Sequence, residues 1–189
     1  MLQNIQEARA TICARHYTRS WPSGKSLVYT YEDAIVVMSI PANYNTARWL
    51  GCEANRVWEL TRLWAPDGHR KNLLTEAIAY ACAEFHREDL ADALVSYADP
   101  NAGHGGGVYK AASWTFLGQS EEARAYRTAD GQIISRRKFH SGSKSMKKAE
   151  ILALGYNELR LPGKLRFARG LNRRGKKAVR LKMQMLQNA

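Results

Sequence analysis

Within the eleven residues from Asp99 to Tyr109, which read DPNAGHGGGVY, an aspartate, a histidine and a tyrosine share a short stretch with four glycines. Asp and His exchange protons near neutral pH, and a Tyr hydroxyl can give one to a leaving group. Glycine this dense is entropically expensive for a fold, so it points to a backbone that must come close to something. A glycine-rich loop can turn its N–H groups toward an anion, which makes Gly105 and Gly106 candidates for holding a ligand between candidate catalytic residues Asp99 and Tyr109. An equally weighted reading has Asp99 opening a turn before Pro100, His104 on the surface and Tyr109 in the core.

The loop lacks the Gly-Lys-Ser/Thr ending of a P-loop and the distant acid that completes a GxGxxG fingerprint. Its His-Gly-Gly-Gly core resembles the oxyanion loop of α/β-hydrolases, but the G-x-S-x-G elbow that such enzymes need is absent.

Several elements must position this stretch. Residues 3–15 carry an amphipathic pattern that stops before His16-Tyr17, and Trp21-Pro22-Ser23-Gly24 reads as a turn. Ser26 to Tyr31 and Ala34 to Ile40 read as a hairpin about Glu32-Asp33. Val57 to Trp64 alternates like a half-buried strand, and Asn72 is placed to cap a helix reaching Phe85. Ala93 to Tyr97 is a buried strand running straight into the glycine stretch. Beyond it, Val108 to Leu117 reads as a helix ending at Gly118, Ala123–Arg127 and Gln132–Arg137 as a hairpin about Asp130-Gly131, Ser145 to Gly155 as a short helix, and Leu165 to Ala168 as a last strand. This order predicts an α/β (α+β) domain with a central, largely antiparallel sheet flanked by helices.

At 189 residues one domain is the simplest organisation, with residues 1–163 as its body and 164–189 as a basic extension of it. Lys and Arg outnumber Asp and Glu by 29 to 17, a formal charge of +12, which points to a polyanionic partner. The part from Lys164 onward holds nine Lys or Arg and no acid, and reads either as an ordered nucleic-acid contact or as a flexible arm. Cys13, Cys52 and Cys82 are widely spaced, which speaks against a disulfide framework or a zinc ribbon and for a reduced, cytoplasmic setting. No apolar run suggests a signal peptide or a membrane span.

Other polar residues give weaker signals. Glu59 and Arg62 are three apart on a strand, so regular alternation sends them to opposite faces. His16-Tyr17 can cap the first helix or reach a site. His69 and His86 lack companions at ligand spacing, and no cluster argues for a metal. Trp21 and Trp49 lie among polar residues where an indole can stack on a base.

Taken together, Glu59-Leu60-Thr61-Arg62-Leu63-Trp64, Lys71-Asn72, Ser96-Tyr97-Ala98-Asp99, Gly103 to Ala112, His16-Tyr17 with Pro22-Ser23-Gly24, and Leu161-Pro162-Gly163-Lys164-Leu165-Arg166-Phe167 resemble the phage Mom DNA-modification proteins. The resemblance covers most of the chain. It implies an acetyltransferase-like fold of the GNAT type, and a phage-encoded enzyme acting in the host cytoplasm. Its reaction would convert adenine in double-stranded DNA to N6-carbamoylmethyladenine, a mark that shields the DNA from restriction nucleases. Carried over by motif, His16, Arg62, Ser96, Asp99 and Tyr109 become the catalytic candidates, with His104 and Lys110 beside them. Lys164, Arg166, Arg173, Arg174, Lys176 and Lys177 become the DNA contacts. The fold resemblance implies acetyl-CoA as donor, held by Arg70, Lys71 and Asn72, yet Ala65 to Asn72 departs from the glycine cradle that grips its pyrophosphate. A carbamoylmethyl group is formally a glycinamide fragment, so a different donor, an aminoacyl-tRNA or another glycine carrier, stays open. Two competing readings are an acyltransferase on a small amine, protein or tRNA, and a noncatalytic basic nucleic-acid-binding module. The basic charge fits a monomer and a homodimer alike.

Overall fold

The computed structural model describes residues 4–141 and 144–188. They form two compact units, residues 1–118 with 165–189, and residues 119–164.

The first unit is built on a six-stranded sheet ordered β1-β2-β3-β4-β11-β5. β1 (Ser26–Tyr31) and β2 (Ala34–Ser39) form the expected hairpin, turning through Glu32 at φ 49°. β2 pairs antiparallel with β3 (Val57–Trp64), β3 parallel with β4 (Ala93–Ala98), and β4 antiparallel with β11 (Leu165–Gly170), which neighbours β5 (Thr115–Gln119). The sheet is therefore mixed, and the parallel step from β3 to β4 is where α3 (Leu73–Arg87) crosses over.

That crossover buries Leu73, Ala77, Ile78, Ala81, Cys82 and Phe85, the stripe at helical spacing visible in the sequence. They pack with Trp58, Leu60, Leu94, Ala98 and Phe167 on one face of the sheet, together with α4 (Gly107–Ala111). The other face carries α1 (Ile5–Arg15), whose Ala8 and Ile12 meet Val28, Ile35 and Val37. Beside it Ala47 and Leu50 of α2 (Thr46–Leu50) and Val179 of α6 (Arg173–Gln187) cover Val57, Val95, Leu117 and Ala168.

The basic segment after Lys164 is ordered, as β11 and then α6. Asn172 caps α6 by accepting from the Gly175 N–H, and a Cβ on Gly175 would lie 1.7 Å from the Asp92 carbonyl oxygen, so only glycine lets the helix sit this close to the start of β4. Asp92, 5% exposed, accepts from Arg56 and from Asn172 Nδ2. Burial opposes its charge, but the Asn172 and Arg56 hydrogen bonds outweigh that and hold the carboxyl below its usual range.

The expected helix from Val108 to Leu117 is two elements. α4 ends at Ala111 with Ala112 as its C-cap, Ser113 takes φ 60°, the Ser113 and Trp114 N–H groups close on Lys110 and Tyr109 carbonyls, and the chain leaves as β5. A left-handed helix end is normally written with glycine; here a serine holds it, so the sequence shows no stop.

In the second unit β6 (Ala123–Arg127) pairs with β7 (Ile133–Ser135) about the Asp130-Gly131 turn and with β10 (Asn157–Leu161) on its other side. β8 (His140–Ser141) with β9 (Lys144–Ser145), and α5 (Lys148–Ala153), complete it. Tyr126 and Ile151 are its largest fully buried side chains among the described residues, and Phe139 stacks edge-on against both Tyr126 and Tyr156.

Candidate functional site

β3 and β4 run side by side from Val57/Ala93 to Leu60/Ser96 and then part. β3 stays with β2 through Arg62, Leu63 and Trp64, so a crevice opens at the carboxyl ends of two parallel strands, the usual place for a ligand in such a sheet. At the parting point the Ser96 hydroxyl donates to the Leu60 carbonyl at 2.7 Å. Its single proton is thereby used, so the Tyr109 hydroxyl, 2.8 Å away, gives its own proton to Ser96. Tyr109 is buried among Trp114 and Phe167, and burial pushes its hydroxyl up to about 12. Ser96 and Tyr109 thus form the floor of the crevice and stay protonated.

A β-bulge shapes the β3 wall. Val37 faces Arg62 and Met38 faces Leu60, leaving Thr61 as the extra residue, whose hydroxyl donates to the Val37 carbonyl. Beyond the bulge the alternation is reversed: Trp58, Leu60 and Leu63 share the α3 side, while Val57 and Trp64 lie on the other. Glu59 and Arg62 therefore share a face, contrary to regular alternation, and the Glu59 charge supports the charged form of Arg62 against burial, which pulls its pKa down.

Arg62 reaches over to the segment leaving α1. Its Nε donates to the Ser20 carbonyl at 2.9 Å, Nη2 to Ser20 Oγ at 3.2 Å and Nη1 to the Thr61 carbonyl at 2.7 Å. The turn so held contains His16, whose N–H still closes α1 on Ile12 while its backbone has become extended. His16 Nδ1 accepts from the Thr18 N–H, which places the ring proton on Nε2. Only 7% exposed, the ring is neutral: burial, then the charges of Arg62 and His104, lower its pKa to about 4.

The glycine stretch closes the opposite side. Asp99 Oδ1 accepts from both the N–H and the side-chain amide of Asn101, and its carbonyl accepts from His104 N–H at 3.0 Å, winding residues 99–104 into a tight loop. The Tyr17 ring bridges the two sides, 4.5 Å from His16 and 4.6 Å from His104, centre to centre. Burial and then the Asp99 charge raise the Tyr17 pKa, against Arg62. Gly106 has φ 74°, and a Cβ there would lie 2.4 Å from the Phe167 ring, whereas Gly105 faces open space.

His16, Arg62, Ser96, Asp99, Tyr109 and His104 are thus brought to one crevice. Two members of the cluster, Tyr17 and Glu59, lacked a decisive signal in the sequence; adjacency to His16 and a carboxylate inside an apolar strand were the available hints. The other candidates lie apart. Arg70 is gripped by Glu32 and Glu76, with its Nη2 2.5 and 2.7 Å from their oxygens. Lys71 is exposed, and Asn72 is left-handed at the start of α3 without a side-chain cap bond. Arg166 lies on β11 with its guanidinium 4.6 Å from the centre of the Trp49 ring, and Lys182 Nζ at the same distance. Trp21 packs beside the α1 core. Arg173, Arg174, Lys176 and Lys177 are exposed on α6, and Lys164 ends the second unit.

No described helix is long and apolar enough to cross a membrane. The methylcarbamoylase mom of Escherichia phage Mu is 30% identical over 122 residues, which cover 60% of this chain and 51% of that protein, so the match spans about half the relative's length. A family model, the Mom protein family, matches residues 3–187, essentially the whole length on which the crevice and its supports are built. The chain belongs to the Mom protein family.

Proposed function

We propose that this protein is a phage DNA-modifying transferase that converts adenine in double-stranded DNA to N6-carbamoylmethyladenine and so protects the DNA from restriction. The observation that carries the reading is the convergence of His16, Tyr17, Arg62, Asp99 and His104 on the crevice between β3 and β4. Family membership and the methylcarbamoylase name of the Mu relative support it. The parting of two parallel strands over a mixed sheet favours a GNAT-like scaffold.

In the net change one hydrogen on adenine N6 is replaced by a carbamoylmethyl group. The amine's lone pair is delocalised into the ring, so that hydrogen must leave as a proton while N6 bonds to the carbamoylmethyl CH2, and the bond from that CH2 to its carrier breaks with both electrons departing on the carrier, which balances the proton. Asp99, at the mouth, accepts the proton or orients the amine. His16, neutral with its proton on Nε2, serves as a hydrogen-bond donor to a ligand oxygen instead of a base. Arg62 supplies positive charge toward the donor's carbonyl, and Tyr17 supplies a face for the base. Ser96, bonded to the Leu60 carbonyl and backed by Tyr109, fixes the point at which β3 and β4 part. Adenine reaches this crevice flipped out of the stack.

The grip of Glu32 and Glu76 on Arg70 favours a glycine carrier in place of acetyl-CoA, with Lys71, Asn72, Gly105 and Gly106 as the flanking backbone. Arg166, Arg173, Arg174, Lys176 and Lys177, and Lys164 in the second unit, contact the DNA backbone.

Plasmid DNA from cells making the wild-type protein should resist a restriction nuclease whose site contains adenine, and DNA from cells making Asp99→Ala should be cut. Complete cutting of both, with abundant soluble protein, overturns the reading. A noncatalytic binding module predicts no difference between the two.

A further inference from the structure

Roughly 17–20 Å from Asp99 along β4, at a strand rise of about 3.3 Å per residue, a cavity lies beside the beginning of that strand, where Arg169 and Gly170 pair with Leu94 and Ala93. It has a volume of about 310 Å³ and opens between β11, α6 and the link from α4 to β5. Three cations line it: Arg169 from β11, and Lys176 and Arg180 from α6. Ser113 and Thr115 add two hydroxyls, and Val179 an apolar wall.

The chemistry of this lining is one-sided. Among the described residues no carboxylate lines it and none of the three cations takes part in an ion pair. Lys176 and Arg180 are one turn apart on the same helix, where like charges repel and destabilise the helix. Arg169 is anchored by Nη1 donating to the Ala112 carbonyl at 2.6 Å, which holds a third positive charge against the other two. Such a grouping is favourable when an anion sits among them. Arg, Lys and hydroxyl side chains together are the donors that phosphate oxygens take, and the apolar wall suits a phosphate carried on a sugar better than a bare ion.

We propose that this cavity is a phosphate-binding site for a sugar-phosphate group, filled by a backbone phosphodiester of DNA whose target base lies at the Asp99 crevice. The separation of roughly 17–20 Å corresponds to five or six base-pair steps of about 3.4 Å, so one bound duplex reaches both. The duplex source rests on the DNA-directed reading above; a free nucleotide presents the same phosphate chemistry independently of it.

The test compares the wild-type protein, Lys176→Gln/Arg180→Gln, and the charge-matched control Arg9→Gln/Lys138→Gln, all at exposed positions. Each is titrated with a short duplex over a series of salt concentrations, and separately with adenosine monophosphate. The thermal midpoint confirms folding, and Lys176→Gln alone serves if the double variant melts early. The expected result is at least a tenfold loss of duplex affinity for the cavity variant, with the slope of log affinity on log salt reduced by about 2, while the control stays within about twofold of wild type. Nucleotide binding that is lost in the cavity variant, with duplex binding unchanged, supports the site with a free nucleotide as its ligand. If neither ligand distinguishes the cavity variant from wild type, or if the control loses as much as the cavity variant, the proposal is overturned. A wild-type protein that binds no duplex at all sinks the DNA reading instead, and the nucleotide titration then decides the cavity alone.

Discussion

His16 is held in its neutral form by burial and by the positive groups around it, with a pKa near 4 against 6.5 for a free histidine. The folded protein therefore binds fewer protons than the unfolded chain between about pH 6.5 and 4, and this residue's contribution is intact above that window and lost as pH falls through it. Up to about 3 kcal/mol of stability should disappear across the window. In denaturant melts at several pH values, His16→Asn should flatten that loss; an unchanged profile would mean that His16 is not buried neutral. Arg62 makes a different kind of contribution, since its three donors tie the turn after α1 to β3. Arg62→Ala should destabilise by about 1.5–3 kcal/mol and also abolish modification. Arg62→Met keeps much of the packing and should recover part of the stability but none of the activity, which separates the two roles. At this scale the sequence exposed His16, Asp99 and Tyr109 as residue types able to do chemistry. It could not show that Glu59 joins Arg62, because one extra residue at Thr61 reverses the alternation and a bulge of this kind has no composition of its own.

The glycine stretch divides into positions with distinct physical jobs. Gly106 combines a positive φ with a contact that puts any Cβ into the Phe167 ring, so Gly106→Ala should cost about 2–4 kcal/mol in a denaturant melt. Gly105 has open space around it, and Gly105→Ala should stay within about 1 kcal/mol. Equal costs at the two positions would show that the loop is not held by Phe167. Part of the glycine density thus serves packing beneath the crevice, which the sequence alone suggested only as a close approach. Helix α6 shows the opposite balance. It begins with Arg173 and Arg174 and has no acidic residue in its first turn, although positive charge there opposes the helix dipole. Arg173→Glu should raise the melting free energy by roughly 0.5 kcal/mol while weakening DNA binding, and a loss of both would argue that Arg173 is structural. Long elements with a clear period, such as α3, β3 and the first hairpin, were legible from the sequence. The five-residue α2 is too short for a period to show, and the serine that ends α4 in place of glycine hid the start of β5.

For the whole molecule, the mixed sheet brings the ends of β3 and β4, the turn after α1 and the glycine stretch to one crevice, while β11 and α6 spread cations away from it. Fold class and the charge of the terminal segment could be read from order and composition. The parallel step between β3 and β4, which creates the crevice, is a property of topology that no local pattern states. Residues 119–164 form their own compact unit because Tyr126, Phe139, Ile151 and Tyr156 give that segment an apolar centre of its own. The central claim is that this arrangement alters adenine in DNA, and its most direct test is mass spectrometry of nucleosides from DNA of cells making the wild-type protein or Asp99→Ala. A deoxyadenosine carrying one carbamoylmethyl group in place of an N6 hydrogen is expected in the wild-type sample and should be absent with Asp99→Ala. Unmodified deoxyadenosine alone in both samples, with the wild-type protein soluble and abundant, would contradict it.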